Sequence, residues 1–228
     1  MDKIALATVF FDYPEYYKPS FYNNALKYFK PEDIHIARFN GLIKTDSYYE
    51  KLYKYKVLFF SDYVKKNILG KYEYILFLDA TDTNFYRDPQ DIISKFEEFK
   101  SNIVFCAEKG FWPPINEKNL YDNKEKLTDT FYLNSGLYLG YTDKIASHMD
   151  SIIANNRTPY DDQGHWTIEY LLNEDIKVDQ ERKLFFSTYE AKEFVHLNEG
   201  KPHIGCNPYV IHDNGPHTEN TIKLTQLL

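Results

Sequence analysis

Ile75-Leu76-Phe77-Leu78-Asp79-Ala80-Thr81-Asp82 decides how the rest of this chain is read. A short apolar run ends abruptly at two carboxylates spaced i, i+3. A run bounded in this way reads as a buried strand. In open α/β sheets ligands bind beyond the carboxyl ends of the strands, so both acids are expected to overhang a crevice. There they could share one hard divalent cation, which takes oxygen ligands and bridges to phosphates. An Asp-rich turn accounts for the same residues, because Asp is a common turn former. Taken alone, the stretch leaves both readings open.

Outward from it, strand and helix signals alternate. Residues 4–10 read as a first strand, 20–29 as a helix and 34–39 as a second strand. Residues 48–67 carry helical spacing, with Lys51, Lys54 and Lys65 at polar positions. Asp88-Pro89 sets an N-cap before a proline at the first helical position, which predicts a helix to about Lys100. Residues 103–107 read as another strand. This alternation predicts an α/β fold with a mostly parallel central sheet and flanking helices. Residues 111–127 read as a long loop, a length usually tied to function or disorder, and its aromatic content suggests a lid over a bound donor. No repeat or linker interrupts the chain, so residues 1–228 are expected to form one domain.

Composition narrows the function classes. The chain has 228 residues, 43% hydrophobic and 27% charged, enough for a sizeable core. A net charge of −7 without a long basic block argues against nucleic acid as a main partner, since phosphate neutralisation needs clustered Lys and Arg. No apolar run approaches the roughly 20 residues of a membrane span. Met1-Asp2-Lys3-Ile4-Ala5-Leu6 lacks the basic and long apolar segments of a signal peptide. Two cysteines, Cys106 and Cys206, make no disulfide framework, and a reducing cytoplasm is the expected location. The 21 Tyr and 17 Phe supply core, though sugar-binding clefts use aromatic faces too.

Further constellations follow the acidic strand end. Glu108 ends a strand as Asp79 does, and reads either as a crevice acid or as a solvated turn acid. Asn134-Ser135-Gly136 precedes the apolar run 137–141 and reads first as a turn before a strand. Its functional reading is a close backbone approach to a ligand, allowed by the missing side chain of Gly136. Thr142 then reads as a helix N-cap. Asp161-Asp162-Gln163 opens a helix predicted from about Gly164 to Leu172. One acid accounts for the cap; the other is surplus and available to a sugar hydroxyl or as a general base. Residues 209–211 deliver His212 into a turn, where its imidazole could join the carboxylates on Mn²⁺ or a similar ion. A satisfied structural histidine is the alternative, and His203 and His217 have weaker context. No CxxC or HExxH pair, nucleophile elbow, Walker loop or Rossmann glycine fingerprint is present.

In order, the motifs are 74–79 with Asp82, then 103–108, Trp112-Pro113, Tyr132-Leu133-Asn134-Ser135-Gly136, Asp161-Asp162-Gln163 and His212-Asp213-Asn214-Gly215-Pro216. The ordered set resembles the glycosyltransferase domain of procollagen lysyl hydroxylases and its stand-alone bacterial and viral relatives, from about Lys56 to Pro216. The resemblance implies a GT-A fold, a UDP-sugar donor and Mn²⁺ or another divalent cation. It implies that Asp79, Asp82 and His212 hold the metal, and that Asp161 and Asp162 stand near donor sugar and acceptor. By the same resemblance Asn134, Ser135 and Gly136 form a donor-sugar loop, Lys56 lies near the nucleotide, Thr8 and Val9 line the uracil, and Gly215 is a further donor-binding position. Two positions depart from the family pattern. Thr81 stands where the family usually has a tyrosine able to stack on the base, and Asp213 adds a charge beside the metal.

These expectations converge on a metal-dependent transferase moving a hexose from a UDP-sugar to a hydroxyl of a glycan, glycoconjugate or protein. A sugar-1-phosphate nucleotidyltransferase needs a Gly-rich basic loop after its first strand, and Phe10-Phe11-Asp12-Tyr13-Pro14 offers none. A non-catalytic carbohydrate- or nucleotide-binding protein on the same fold would have no need of the retained acids.

Overall fold

A computed structural model of the chain describes residues 3–39, 48–155, 160–189, 195–198 and 201–214. Its strands are β1 (Ile4–Phe11), β2 (Ile34–Phe39), β3 (Tyr74–Leu78), β4 (Thr83–Phe85), β5 (Ile103–Glu108), β6 (Tyr132–Tyr141), β7 (Ile176–Asp179), β8 (Phe185–Ser187), β9 (Val195–Asn198), β10 (Lys201–Ile204) and β11 (Val210–His212). Six of them form the central sheet in the order β2-β1-β3-β6-β5-β7. β1 pairs in parallel with β2 and β3, and β5 with β7, while β6 is antiparallel to both β3 and β5. One strand therefore runs against five, and the mostly parallel sheet expected from the alternation is what forms.

The helices are α1 (Tyr22–Ala25), α2 (Tyr48–Tyr53), α3 (Phe60–Asn67), α4 (Ile92–Glu97), α5 (Thr142–Asn155) and α6 (Asp162–Leu172), with a π-helical segment at Lys54–Phe59 joining α2 to α3. They cover both faces of the sheet, which explains why β3 is apolar at every position. Successive strand residues point to opposite faces. Ile75 and Phe77 pack with Phe60, Met149 and Trp166, whereas Leu76 and Leu78 pack with Ile92, Phe96 and Leu184. On the first face Phe77 stacks on Tyr138 with centroids 4.6 Å apart. Such a pair contributes about 1 kcal/mol beyond the area it buries.

A smaller sheet, β4-β11-β8, lies beyond the end of β3, and β9 and β10 form an antiparallel hairpin. No helix among the described residues is long and apolar enough to cross a membrane.

Several local expectations need correction. The helix at 20–29 shrinks to Tyr22–Ala25: Ser20 bonds to the carbonyls of Ala80 and Thr83, and past Ala25 the chain tightens into turns in which Lys27 N–H donates to Asn24 and Tyr28 N–H to Ala25. Asp88 does not cap a helix starting at Pro89; its Oδ1 accepts from Gln90 N–H in a local turn, and α4 begins at Ile92. The long loop at 111–127 contains a 3₁₀ segment, Asn116–Asn123. Asn134-Ser135-Gly136 is no turn but the interior of β6. Thr142 opens α5, and α6 starts at Asp162, two residues before the expected Gly164.

Candidate active site

The antiparallel course of β6 brings its first half to the carboxyl ends of β3 and β5. Leu78 pairs with Leu137 and Cys106 with Asn134, and Asp79 N–H extends the ladder by donating to the Gly136 carbonyl at 2.8 Å. Between Phe105 and Cys106 the pairing jumps from Tyr138 to Asn134, so β6 bulges at Ser135, Gly136 and Leu137 relative to β5; bulges commonly re-aim side chains next to sites. His212 comes from the far end of the described chain. Pairing of β11 with β4 sets it opposite Thr83, and Asp213 N–H donates to the Asp82 carbonyl at 2.8 Å.

Three side chains converge as a result. One ligand atom each from Asp79, Asp82 and His212 lie within 4.8 Å of one another. His212 Nε2 is 3.4 Å from Asp82 Oδ1 and 3.7 Å from Asp79 Oδ2. The cluster closes directly over the backbone of Gly136. A Cβ at that position would lie 2.1 Å from His212 Cε1 and 2.9 Å from Asp79 Oδ2. Two carboxylates and one imidazole around such a cradle suit a divalent ion of the Mn²⁺ type.

Lys56 supplies a positive charge inside the cluster. Its Nζ lies 2.6 Å from Asp79 Oδ1 and 3.6 Å from Asp162 Oδ2. It projects from the π-helical segment, a distortion frequent at functional sites. Burial lowers the Lys56 pKa, but the carboxylates of Asp162 and Asp79 outweigh it and hold the ammonium above its ordinary value. Burial raises Asp79, with Lys56 and His212 opposing. For His212, burial lowers the pKa and the charges of Asp82 and Asp79 more than reverse it.

The two acids at the start of α6 divide their work. Asp161 is the N-cap, its Oδ1 accepting from Gly164 N–H at 2.8 Å. Burial, and then Asp162 beside it, push Asp161 up to about 6. Asp162 is the surplus acid, and its Oδ2 accepts from Ser135 Oγ at 2.8 Å. Gln163, next in sequence, ties three elements together. Its Nε2 donates to Glu108 Oε1 and to the Trp112 carbonyl, both at 2.8 Å, while its Oε1 accepts from Ser135 N–H at 3.1 Å.

These groups line one cleft of about 830 Å³, a size that suits a small-molecule ligand. Asp79, Asp82, His212, Lys56, Asp161, Asp162, Asn134, Ser135 and Gly136 all border it, so most of the expected site residues come together. Thr8 and Val9 do not border it. Both are buried in β1, where Thr8 Oγ1 donates to the Leu78 carbonyl at 2.6 Å. Gly215 lies outside the described residues. Thr81 is exposed, and Asp213 is buried, accepting from Thr188 Oγ1 at 2.9 Å. Sequence reasoning left out of its site the amides Gln163 and Asn214 and the rings of Phe111, Trp112, Tyr132 and Tyr189, which also line the cleft. Gln163 had a signal, its adjacency to the two acids; Tyr189 had none.

A family model described as the PLOD GT domain matches residues 46–227. The chain belongs to the PLOD GT domain family. It is 31% identical over 156 residues to a procollagen-lysine,2-oxoglutarate 5-dioxygenase of Drosophila melanogaster, a match covering 62% of this chain and 21% of that protein. A multifunctional procollagen lysine hydroxylase and glycosyltransferase of Caenorhabditis elegans is 29% identical over 176 residues, covering 71% of this chain and 24% of the other. The uncharacterized protein R699 of Acanthamoeba polyphaga mimivirus is 25% identical over 147 residues, covering 62% and 31%. These matches span only 21%, 24% and 31% of the relatives' own lengths. Among solved structures, a glycosyltransferase involved in the glycosylation of the major capsid of PBCV-1 superposes with a TM-score of 0.52 at 11% identity, over 93% of this chain and 94% of that one. That likeness concerns the fold, and it agrees with the GT-A architecture that membership of this glycosyltransferase domain family carries.

Proposed function

We propose that this member of the family transfers a hexose from a UDP-sugar to a hydroxyl of a glycan or glycoconjugate, with a divalent cation at Asp79, Asp82 and His212. The observation that carries the reading is the convergence of those three side chains beside Lys56 in the wall of a single cleft. Bound there, a cation such as Mn²⁺ supplies Lewis-acid stabilisation of the diphosphate leaving group.

The chain's own residues provide the rest. Lys56 brings a fixed positive charge to the developing negative charge of the leaving diphosphate, an effect strengthened where water is excluded. Asp162 is held by Ser135 and Lys56 at the cleft wall, placed to contact the transferred sugar or the incoming hydroxyl. Asp161 fixes the start of α6 and so the position of Asp162. Glu108 is 3% exposed, and burial raises its pKa although Asn134, Gln163 and Asn214 all hydrogen-bond it. It supports the cleft from the β5 side.

Calorimetric titration of UDP, with and without Mn²⁺ and beside the Asp79→Ala variant, tests the reading. Micromolar binding that needs both the metal and Asp79 is expected. Absence of UDP binding under every condition would remove the UDP-sugar assignment. Slow release of UDP from a UDP-sugar without acceptor would separate a working transferase from a binding protein on the same fold.

A further inference from the structure

Asn134 is 3% exposed, and its side-chain amide spends its capacity inside the protein. Nδ2 donates to Glu108 Oε2 at 2.9 Å. Oδ1 accepts from Gly136 N–H at 3.0 Å and stands 2.9 Å from His212 Nδ1. These contacts admit one orientation of the amide. The flipped amide would set its NH₂ against Gly136 N–H and its oxygen against a carboxylate, and networks of this kind are how amide orientation is assigned. An amide oxygen only accepts, so the hydrogen between the two side chains sits on His212 Nδ1. Nε2, on the far side of the ring, faces Asp82 and Asp79.

We propose that Asn134 is a positioning residue that sets the His212 tautomer, holding the proton on Nδ1 and presenting the Nε2 lone pair to a cation bound by Asp79 and Asp82. The inference rests on the metal-dependent reading above and gives Asn134 a role different from contact with the donor sugar. Glu108 is part of the device, because its carboxylate is what turns the amide oxygen toward the ring. Gln163 and Asn214 fix that carboxylate in turn, at 2.8 Å each. Outer-shell partners of this type hold a histidine ligand's tautomer and orientation, and their loss commonly weakens metal binding. Asn134 therefore links the cation-binding edge of the cleft to the Glu108 side through one amide.

The test compares Mn²⁺ affinity, measured calorimetrically, in the unaltered chain, Asn134→Leu and Asn134→Asp. Leucine removes the acceptor, and Mn²⁺ binding is expected to weaken about 10- to 100-fold. Aspartate keeps an acceptor for Nδ1–H, shares a proton with Glu108, and is expected to lose less than about 10-fold. Equal loss of affinity in both variants would show that an acceptor for Nδ1–H at this position is not what matters, and that result would overturn the proposal. If Asn134→Leu does not fold, ¹⁵N-histidine NMR of the unaltered chain with Mg²⁺, assigned with His212→Gln, decides the point: a proton on Nε2 instead of Nδ1 overturns it. No Mn²⁺ binding by the unaltered chain overturns the metal reading and this inference together, whereas binding indifferent to Asn134→Leu overturns the inference alone.

Discussion

Lys56 Nζ and Asp79 Oδ1 stand 2.6 Å apart, so the carboxylate that heads the candidate metal site carries an internal cation as its neighbour. Lys56 is also 3.6 Å from Asp162, and one ammonium therefore balances acids from two different elements. Breaking a buried pair from one side is destabilising because a charge is left uncompensated. Here both side chains keep some exposure, 14% and 20%, and a cost of about 2 kcal/mol is expected for Lys56→Met, below the range for fully buried pairs. Mn²⁺ should restore much of it by replacing the lost charge. Thermal unfolding with and without Mn²⁺ checks this; an unchanged melting temperature and the same metal-induced shift as the unaltered chain would show that the pair is dispensable.

Gly136→Ala should be more damaging than its single added carbon suggests. That carbon meets the His212 ring and Asp79 at 2.1 and 2.9 Å, so the Asp-His cluster itself must move. Overpacking of this kind costs about 1–3 kcal/mol. Mn²⁺ affinity should fall alongside stability, and calorimetry that found metal binding intact would contradict the cradle.

Asp161 and Asp162 should separate by mutation despite being neighbours. Removing the cap in Asp161→Ala costs about 1 kcal/mol of stability, measurable by denaturant unfolding. Asp162→Asn leaves that cap untouched and should lower turnover more than nucleotide affinity. Equal loss of both quantities would mean that Asp162 only holds Ser135 and Lys56 in place.

His148 provides a pH-dependent brace away from the cleft. From α5 its Nδ1 reaches Glu169 Oε2 on α6 at 3.0 Å, and its Nε2 reaches Asp175 Oδ2 at 3.3 Å. Burial lowers its pKa, but these two carboxylates outweigh burial and raise it above the reference value of 6.5. A folded value above the unfolded one means that the brace contributes fully below pH 6.5 and is lost as pH rises through the higher folded value. The melting temperature should therefore fall across that window in the unaltered chain and fall less in His148→Phe. Parallel profiles for the two proteins would exclude His148 as the cause.

Much of this molecule was legible one segment at a time. The apolar run at 74–78 followed by Asp79 and Asp82 predicts a doubly buried strand with acids at its carboxyl end, because hydrophobic patterning and strand length are local properties. The surplus acid beside a cap at 161–162 was legible for the same reason, since capping is decided within one turn. The late start of the helix at Tyr22 was not, because Ser20 answers to Ala80 and Thr83 and not to its own neighbours. Nor was the strand character of Asn134-Ser135-Gly136, since Asn134 pairs with Cys106 of β5 and Gly136 accepts from Asp79 just past β3.

By itself the sequence determined the α/β class, the placement of the acids at a strand end and the family to which the ordered motifs point. Only the tertiary structure decided that His212 meets Asp79 and Asp82, that Lys56 sits between Asp79 and Asp162, and that Asn134 turns its oxygen to His212. The physical reason is the range of the forces concerned. Periodicity, capping and turn chemistry act over a few residues, whereas a ligand cluster depends on strand pairing such as that of β11 with β4, between segments far apart in the chain.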